Sequence, residues 1–426
     1  MKLFQRRHFL SHIAAGVAAS VLLAVAGCGG GTEQSGKQEV EFWTMQLQPK
    51  FTDYFNQLIA DFEAANPDVD VVWVDVPWSD MQSKILTAVS AGTAPDVVNL
   101  NPDFASQLAG RNAWLSLDEK LSPEQQAVYL PKIWQATTLN GESFGFPWYL
   151  TTRVTLFNSE LLGQAGLSEP PNTYAELAEA AKQIKEKTGK YAFFVSFVPE
   201  DAADILQSFI QMGVPLVDEA GNAAFNTAEG KAVFQYWTDL YQQELLPREV
   251  LTQGHRRAIE LYQAGETVFL ASGAEALDNI ANNAPDIAAA TKTAPQITGD
   301  TGKKNVAAMN LVVPRSTDAP DAAVKFALYI TNNDNQVSFA QAANVLPSTA
   351  AAVGSTLTEA SEGATPIEIA RAVSATQLAD AEVLIPALED VKQLQKAIYD
   401  NLQAAMLGEK TVDAAVADAA DEWNSR

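Results

Sequence analysis

Flat aromatic side chains and short polar ones recur in this chain at the ends of runs that read as β-strands. Trp43 and Gln46 close the run beginning at Val40, and Trp78 follows Val76-Pro77. Asn101 and Asp103 follow the run Pro95–Leu100. Phe197 ends Tyr191–Phe197, and Ser272 and Gly273 follow Val268–Ala271. Open α/β sheets bind ligands outside the carboxyl ends of their strands. There an aromatic face covers the apolar C–H face of a ring, while amides and hydroxyls hydrogen-bond its hydroxyl groups. These residue types therefore suit an uncharged polyol. Trp43 and Phe197 have a second reading as core, where aromatic side chains usually sit. Trp78, set after a proline at a strand end, favours an open edge. Asp103 fits equally as the cap of the helix that follows it.

Other chemistries find few residues to work with. Cys28 is the single cysteine, and of His8, His12 and His255 only the last lies beyond the N-terminal leader. Disulfides and thiol chemistry are therefore not expected in the mature domain. A Ser–His–Asp site has one histidine to draw on, and a metal centre built from several His or Cys ligands is excluded. There is no nucleophile elbow, phosphate-cradling glycine motif or metal motif, so neither cofactor nor metal is expected. A glycosidase needs only two carboxylates at a set distance, and 52 Asp and Glu residues do not forbid that pair. A glycoside-acting enzyme is thus the rival reading, and turnover of glycosides by the pure protein is its test.

The elements that position these residues alternate. Val40–Trp43 reads as a strand, and Phe51, Tyr54, Phe55, Leu58, Ile59 and Phe62 recur at helical spacing up to Asn66-Pro67. Val69–Val76 is apolar on both faces, as a strand inside a parallel sheet would be. Ser79 suits the cap of the next helix, which Gly92 ends. Such alternation implies right-handed β-α-β units in an open sheet. Further on, Thr173-Tyr174-Ala175-Glu176 is a capping box. Tyr191–Phe197 and Val268–Ala271 read as strands, 288–297 and 305–314 as extended, and the Ala-rich tail from Ala322 as helical.

The start of the chain bears on compartment. Arg6 and Arg7 precede an uncharged run, Ile13–Gly27, shorter than the ~20 apolar residues that span a bilayer. It ends in Val25-Ala26-Gly27-Cys28, which resembles a bacterial lipobox at all four positions, with Cys28 as the lipidated residue. A Gly/Ser/Thr tether follows at once. Gln5-Arg6-Arg7-His8-Phe9-Leu10 resembles a twin-arginine export signal. An ordinary cleaved signal with an incidental Cys28 is the alternative. Losing Lys2, Arg6 and Arg7 with the leader takes the formal charge from -24 to -27. So acidic a body repels nucleic acid and anionic lipid surfaces. With 47% apolar residues over about 400 mature positions, two packed domains are expected.

Several blocks occur in an order that resembles the extracellular solute-binding proteins serving sugar importers of the ATP-binding-cassette type. They are Glu41-Phe42-Trp43, Ala94-Pro95-Asp96-Val97-Val98, and Gly145-Phe146-Pro147-Trp148-Tyr149 with Leu156-Phe157-Asn158. Ala165-Gly166-Leu167, Pro171-Asn172-Thr173-Tyr174-Ala175-Glu176-Leu177 and Ala264-Gly265-Glu266-Thr267 follow. The resemblance implies an α/β, two-lobed periplasmic-binding-protein fold of the maltose-binding type, with a cleft and a hinge. It implies crossings near 151–153, 288–293 and 312–316. The expected layout is a leader over 1–27, a tether over 28–37, a first lobe from 38–151 with 292–314, and a second from 152–291 with 315–426. Trp148, Tyr149 and Arg153 would lie on the first crossing and Asn310 on the last, beside the cleft. An extended backbone turns only one of Trp148 and Tyr149 toward a ligand, and Arg153 serves equally as a hinge residue held by an acid.

The chain departs from the family pattern at Thr151-Thr152, where many members carry an acid, and at Ser272-Gly273-Ala274-Glu275, where many carry a tryptophan. Fewer stacking faces suit a small glycoside or disaccharide. The expected partners are a sugar, the importer's permease subunits and the membrane through the lipid on Cys28, with the protein a monomer at the outer side of the bacterial inner membrane. Alternatives are the same fold holding glycerol phosphate, an amino acid or a metal ion, or a sensor or adhesion lipoprotein.

Overall fold

The alternation in Gln38–Met45, which forms β1, sends its side chains into two different cores. Val40 and Phe42 are buried with Phe55, Leu58 and Phe62, whereas Trp43 and Met45 are buried with Met81, Ile85 and Leu108. A strand covered on both faces is an inner strand of a layered α/β sheet. The computed structural model describes residues 36–426, apart from 200, 202, 357–362, 379 and 389. The leader, Cys28 and all but the end of the tether lie outside the described residues.

From β1 the chain enters α1 (Thr52–Ala65), which ends at Asn66. β2 (Val69–Val76), α2 (Trp78–Ala91), β3 (Val97–Leu100) and α3 (Pro102–Gly110) continue the alternation. Gly92 stops α2 with a φ of 68°, a left-handed turn that strains any residue carrying a Cβ. Ser79 does not cap α2. The helix starts one residue earlier, with Pro77 in the cap position, and the Ser79 hydroxyl donates to Asp80 instead. The short α4 (Pro123–Gln126), α5 (Pro131–Gln135), β4 (Thr138–Leu139) and β5 (Glu142–Ser143) lead to β6 (Phe146–Thr152). Only Arg153 separates β6 from β7 (Val154–Asn158). α6 (Ser159–Gln164), α7 (Tyr174–Thr188), α8 (Asp204–Gln211), α9 (Ala228–Gln242) and α10 (His255–Gln263) precede β8 (Phe269–Ser272). Next come α11 (Ala276–Asn283), α12 (Pro285–Ala290), β9 (Thr291–Ala294) and β10 (Lys304–Val312). The tail holds α13 (Pro320–Ile330), α14 (Asn333–Ala343), β11 (Leu346–Pro347) and α15 (Ala350–Thr356). It finishes with α16 (Pro366–Gln377), β12 (Ala381–Glu382), α17 (Val391–Met406) and α18 (Val412–Asn424).

One sheet runs β11-β6-β10-β3-β1-β2 with β12 beside β10, and a second runs β8-β7-β9. β1 pairs parallel with β2 and β3, setting Phe42 opposite both Trp73 and Val97, while β10 runs antiparallel to β3 and β6. β2 differs from its sequence reading. It is the outer strand, and Val72 is 37% exposed, so its apolar run is only half covered. Tyr191–Phe197 is not a strand. A single bridge, Tyr191 to Thr267, ties it to its neighbours, and the Phe197 N–H donates to the Val250 carbonyl. Its phenylalanines are apolar because they fill the core, not because they alternate across a pleat. Residues 288–290 are the last turn of α12 rather than extended chain.

The hydrophobic cores show which segments belong together. Leu156, Phe209, Trp237, Leu402 and Trp423 share one core beside the β8-β7-β9 sheet. α13 and α14 pack on the other sheet, with Phe326 5.3 Å from Phe42 and Phe339 5.7 Å from Phe55 between ring centres. Assigning 315–426 wholly to the second lobe is therefore corrected, since the tail serves the first core before α17 and α18 return to the second. Thr291–Ala294 still pairs with β7, which moves the return passage from 288–293 to 295–303. No passage occurs at 312–316, where the chain continues onto the same core.

Candidate ligand-binding site

The carboxyl ends of β1, β2 and β3 share one edge, because the three strands are parallel. Asp75, one residue before the end of β2, organises that edge. Its carboxylate accepts the Thr44 hydroxyl at 2.7 Å and the backbone N–H groups of Leu47 at 2.9 Å and Gln48 at 3.0 Å. The loop after β1 is thereby held, with Gln46 exposed in a left-handed conformation of φ 54°. The Gln46 side-chain oxygen accepts the backbone N–H of Trp78 at 3.2 Å. Trp78 opens α2 with 46% of its surface exposed, whereas Trp43, Trp114, Trp148, Trp237 and Trp423 are buried. An indole held at a strand end with an open face is the arrangement that stacks on a ring.

Asn101 caps α3, its side-chain oxygen accepting the Phe104 N–H at 2.8 Å, so Asp103 is free of capping duty. Asp103 instead pairs at 3.4 Å with Lys392 of α17, a helix anchored in the other core. Gln82 on α2 and Gln107 on α3 touch at 3.3 Å, one turn past Trp78 and Asp103 respectively, which ties the two helix starts together. Tyr149 is half-buried against Phe339 at 5.3 Å, and among the described residues its hydroxyl has no hydrogen-bond partner. Burial pushes its phenol pKa well above the ordinary value, so the hydroxyl stays a neutral donor.

The structure corrects several candidate residues. Trp148 is 1% exposed, stacked on Phe339 at 4.9 Å with Phe55 edge-on at 5.9 Å, so no face is open to a ligand. Phe197 is wholly buried, edge-on to Trp237 at 5.7 Å. Trp43 is 6% exposed, its N–H donates to Glu41 and the Lys84 ammonium lies 3.9 Å over its ring. All three belong to the cores. Asn310 is 2% exposed in the middle of the sheet, donating to the Ala308 carbonyl, so it does not reach the edge. Ser272 is 5% exposed within β8, and Gly273 sits beneath the Glu275 carboxylate, which a side chain at 273 would strike.

Arg153, between the two sheets, is held by an ion pair with Asp204 of α8. Burial opposes its charge, and Asp204 with Asp201 outweighs that effect, so its pKa lies above the ordinary value. This is the hinge reading of Arg153 rather than the ligand reading. Lys392 and Asp204 escaped sequence reasoning because each is a charged helix residue with no local signature. What singles them out is a partner 289 or 51 positions away.

Two sheets joined through Arg153, each with its own core, and an aromatic edge facing an ion pair between them define a two-lobed binding protein. A model of the bacterial extracellular solute-binding protein family matches residues 48–337, and the chain belongs to that family. An arabinooligosaccharide-binding protein of Halalkalibacterium halodurans is 27% identical over 312 residues, 70% of this chain and 68% of its own length. A diacetylchitobiose binding protein of Streptomyces coelicolor is 26% identical over 179 residues, 40% and 41% of the two chains. A crystal structure from Synechococcus sp. MITs9220, provisionally assigned as an oligosaccharide periplasmic-binding protein, is 46% identical. Its TM-score is 0.84, covering 91% of this chain and 98% of that one. The same Synechococcus protein has also been solved in complex with zinc. Maltose-bound Thermotoga maritima MalE3, 21% identical with a TM-score of 0.70 over 91% and 99% of the chains, shares the maltose-binding-protein-like fold. Among the described residues of this chain, no group of three or more His, Cys, Asp or Glu is placed to hold a metal ion. Among them, too, no helix is long and apolar enough to cross a membrane.

Proposed function

We propose that this protein captures an uncharged sugar, a small glycoside or short oligosaccharide, between its lobes and delivers it to the permease of an ATP-binding-cassette importer. The observation that carries this reading is Trp78, an open indole whose backbone N–H is held by the Gln46 side chain at the shared strand edge. Gln46, Asn101 and Asp103 offer hydrogen-bonding groups along the same edge, and the Tyr149 hydroxyl offers another further across the sheet on β6, in the balance of apolar face and polar groups that sugar sites need. Lys392 and Arg153, two cations on the second-lobe side, are each paired with an aspartate, which speaks against a phosphorylated ligand held by them. The sugar-binding relatives support the same class.

A thermal-shift screen of neutral sugars, polyols, glycosylglycerols and phosphorylated sugars tests the reading. A ligand at 100 times its Kd stabilises by about 2.7 kcal/mol. Stabilisation by neutral compounds is expected, and stabilisation by charged compounds alone would overturn it. Incubation with the same glycosides checks for turnover, which a binding protein does not produce. Lipid attachment at Cys28 is expected to hold the protein at the outer side of the inner membrane. Recovery of a Cys28→Ala variant in the membrane fraction, as for the parent, would refute that.

A further inference from the structure

A cavity of about 110 Å³ opens inside the second lobe, away from Trp78 and bounded by α7, α8, α10 and the β8-β7-β9 sheet. A single water needs about 10–15 Å³ on this scale, so there is room for one sugar ring. Its walls are aromatic: Phe193, Phe194, Trp237 and Phe269 are buried, and Tyr174 is half-buried beside them.

The polar lining is what a packed core does not explain. The Thr155 hydroxyl, on a residue only 2% exposed, has no hydrogen-bond partner among the described residues. The same holds there for the side-chain amide of Gln207 and the imidazole of His255, which line the same space. Thr155 is buried and Gln207 and His255 are half-buried, and three such groups turned to one cavity without a protein partner mark a place for a hydrogen-bonding guest. The Arg153–Asp204 pair closes one side, its charges cancelling, with side chains 33% and 20% exposed. Asp201, which accepts the His255 backbone N–H at 2.7 Å, adds a further negative charge nearby. An anionic guest would be repelled, whereas hydroxyl groups satisfy carboxylate, amide and imidazole alike.

We infer that this cavity is a second binding site, taking a single neutral sugar ring or cyclic polyol, separate from the edge carrying Trp78. Its walls include two of the passages between the sheets. Arg153 lies on one, and Gln296 lies on the other. The Gln296 amide donates to the Thr152 hydroxyl at 3.2 Å and accepts the Asn305 N–H at 2.8 Å. A guest that orders these groups acts directly on the segments that must move when the lobes close.

Calorimetric titration of the full chain with D-glucose, D-galactose, D-mannose and myo-inositol tests the inference. At least one is expected to bind. Trp78→Ala should leave that affinity within about twofold. Ala271→Phe, which adds bulk from an exposed wall position, and Gln207→Leu, which removes an unpaired amide, should each weaken it at least tenfold, with melting temperatures kept as a check on folding. Absence of binding by all four compounds, unchanged affinity in both cavity variants, or loss of binding in Trp78→Ala would each overturn it. Longer sugars read the other site, because they lose affinity in Trp78→Ala. Failure of oligosaccharide capture with hexose binding retained therefore sinks the cleft proposal and leaves the cavity standing.

Discussion

Replacing Trp78 with alanine isolates the stacking contribution at the shared strand edge. Trp78 is 46% exposed, and a tryptophan presents about 250 Å², so about 110 Å² of indole is uncovered. A sugar ring laid on one face removes about half of that from water. At roughly 25 cal/mol per Å² the loss on truncation is about 1.4 kcal/mol. The directional preference of the ring contact adds about 0.5–1 kcal/mol. The sum, about 2 kcal/mol, is a factor of about 30 in Kd. Stability should change by only about 0.5 kcal/mol, because the removed surface is open rather than packed. Calorimetry with the best neutral sugar from the thermal screen, alongside a melting curve, reads both quantities. Binding within threefold of the parent, by a protein that melts normally, would show that no ligand stacks on this indole.

Three further outcomes follow from the geometry. Lys392→Met removes the Asp103 pair between the lobes. Because both side chains are about two-fifths exposed, affinity should fall by at most about fivefold, and the residual binding should lose salt dependence across a sodium chloride series. Phe197→Ala and Trp148→Ala, at core positions, should each cost about 3–5 kcal/mol in urea unfolding, far more than Trp78→Ala. His255 is held below its ordinary pKa of 6.5 by burial and by Arg153, so the unfolded chain binds its proton more readily. Its contribution to stability is complete above pH 6.5 and is lost as the pH falls through the lower folded value. Melting curves of His255→Gln should therefore decline less steeply below pH 6.5 than those of the parent, and parallel declines would refute the assignment.

Local pattern carried much of the architecture. The β1-α1-β2-α2-β3-α3 succession is readable because each strand lies next to its helix in sequence, and Gly92 and Thr173 mark boundaries by backbone chemistry alone. Tyr191–Phe197 misleads because a loop buried against Trp237 is as apolar as a strand, and apolar runs do not distinguish the two. The tail misleads differently: its helices are evident, but which core each covers depends on contacts such as Phe42–Phe326, distant in sequence. At the site, Gln46, Trp78 and Asn101 are legible because strand ends are legible. Trp43 and Trp148 share their chemistry with Trp78, and only burial separates them. Lys392 and Asp204 are set by pairing across the fold, which no short motif records.

The interleaved tail has a bearing on how the chain matures. The first core lacks Phe326 and Phe339 until α13 and α14 exist, and the second lacks Trp423 until α18 exists. A polypeptide that emerges N-terminus first thus has no half that can finish early. Threaded through a membrane unfolded, it would stay incomplete until α18 had crossed. Exported folded, it would have to be whole before departure.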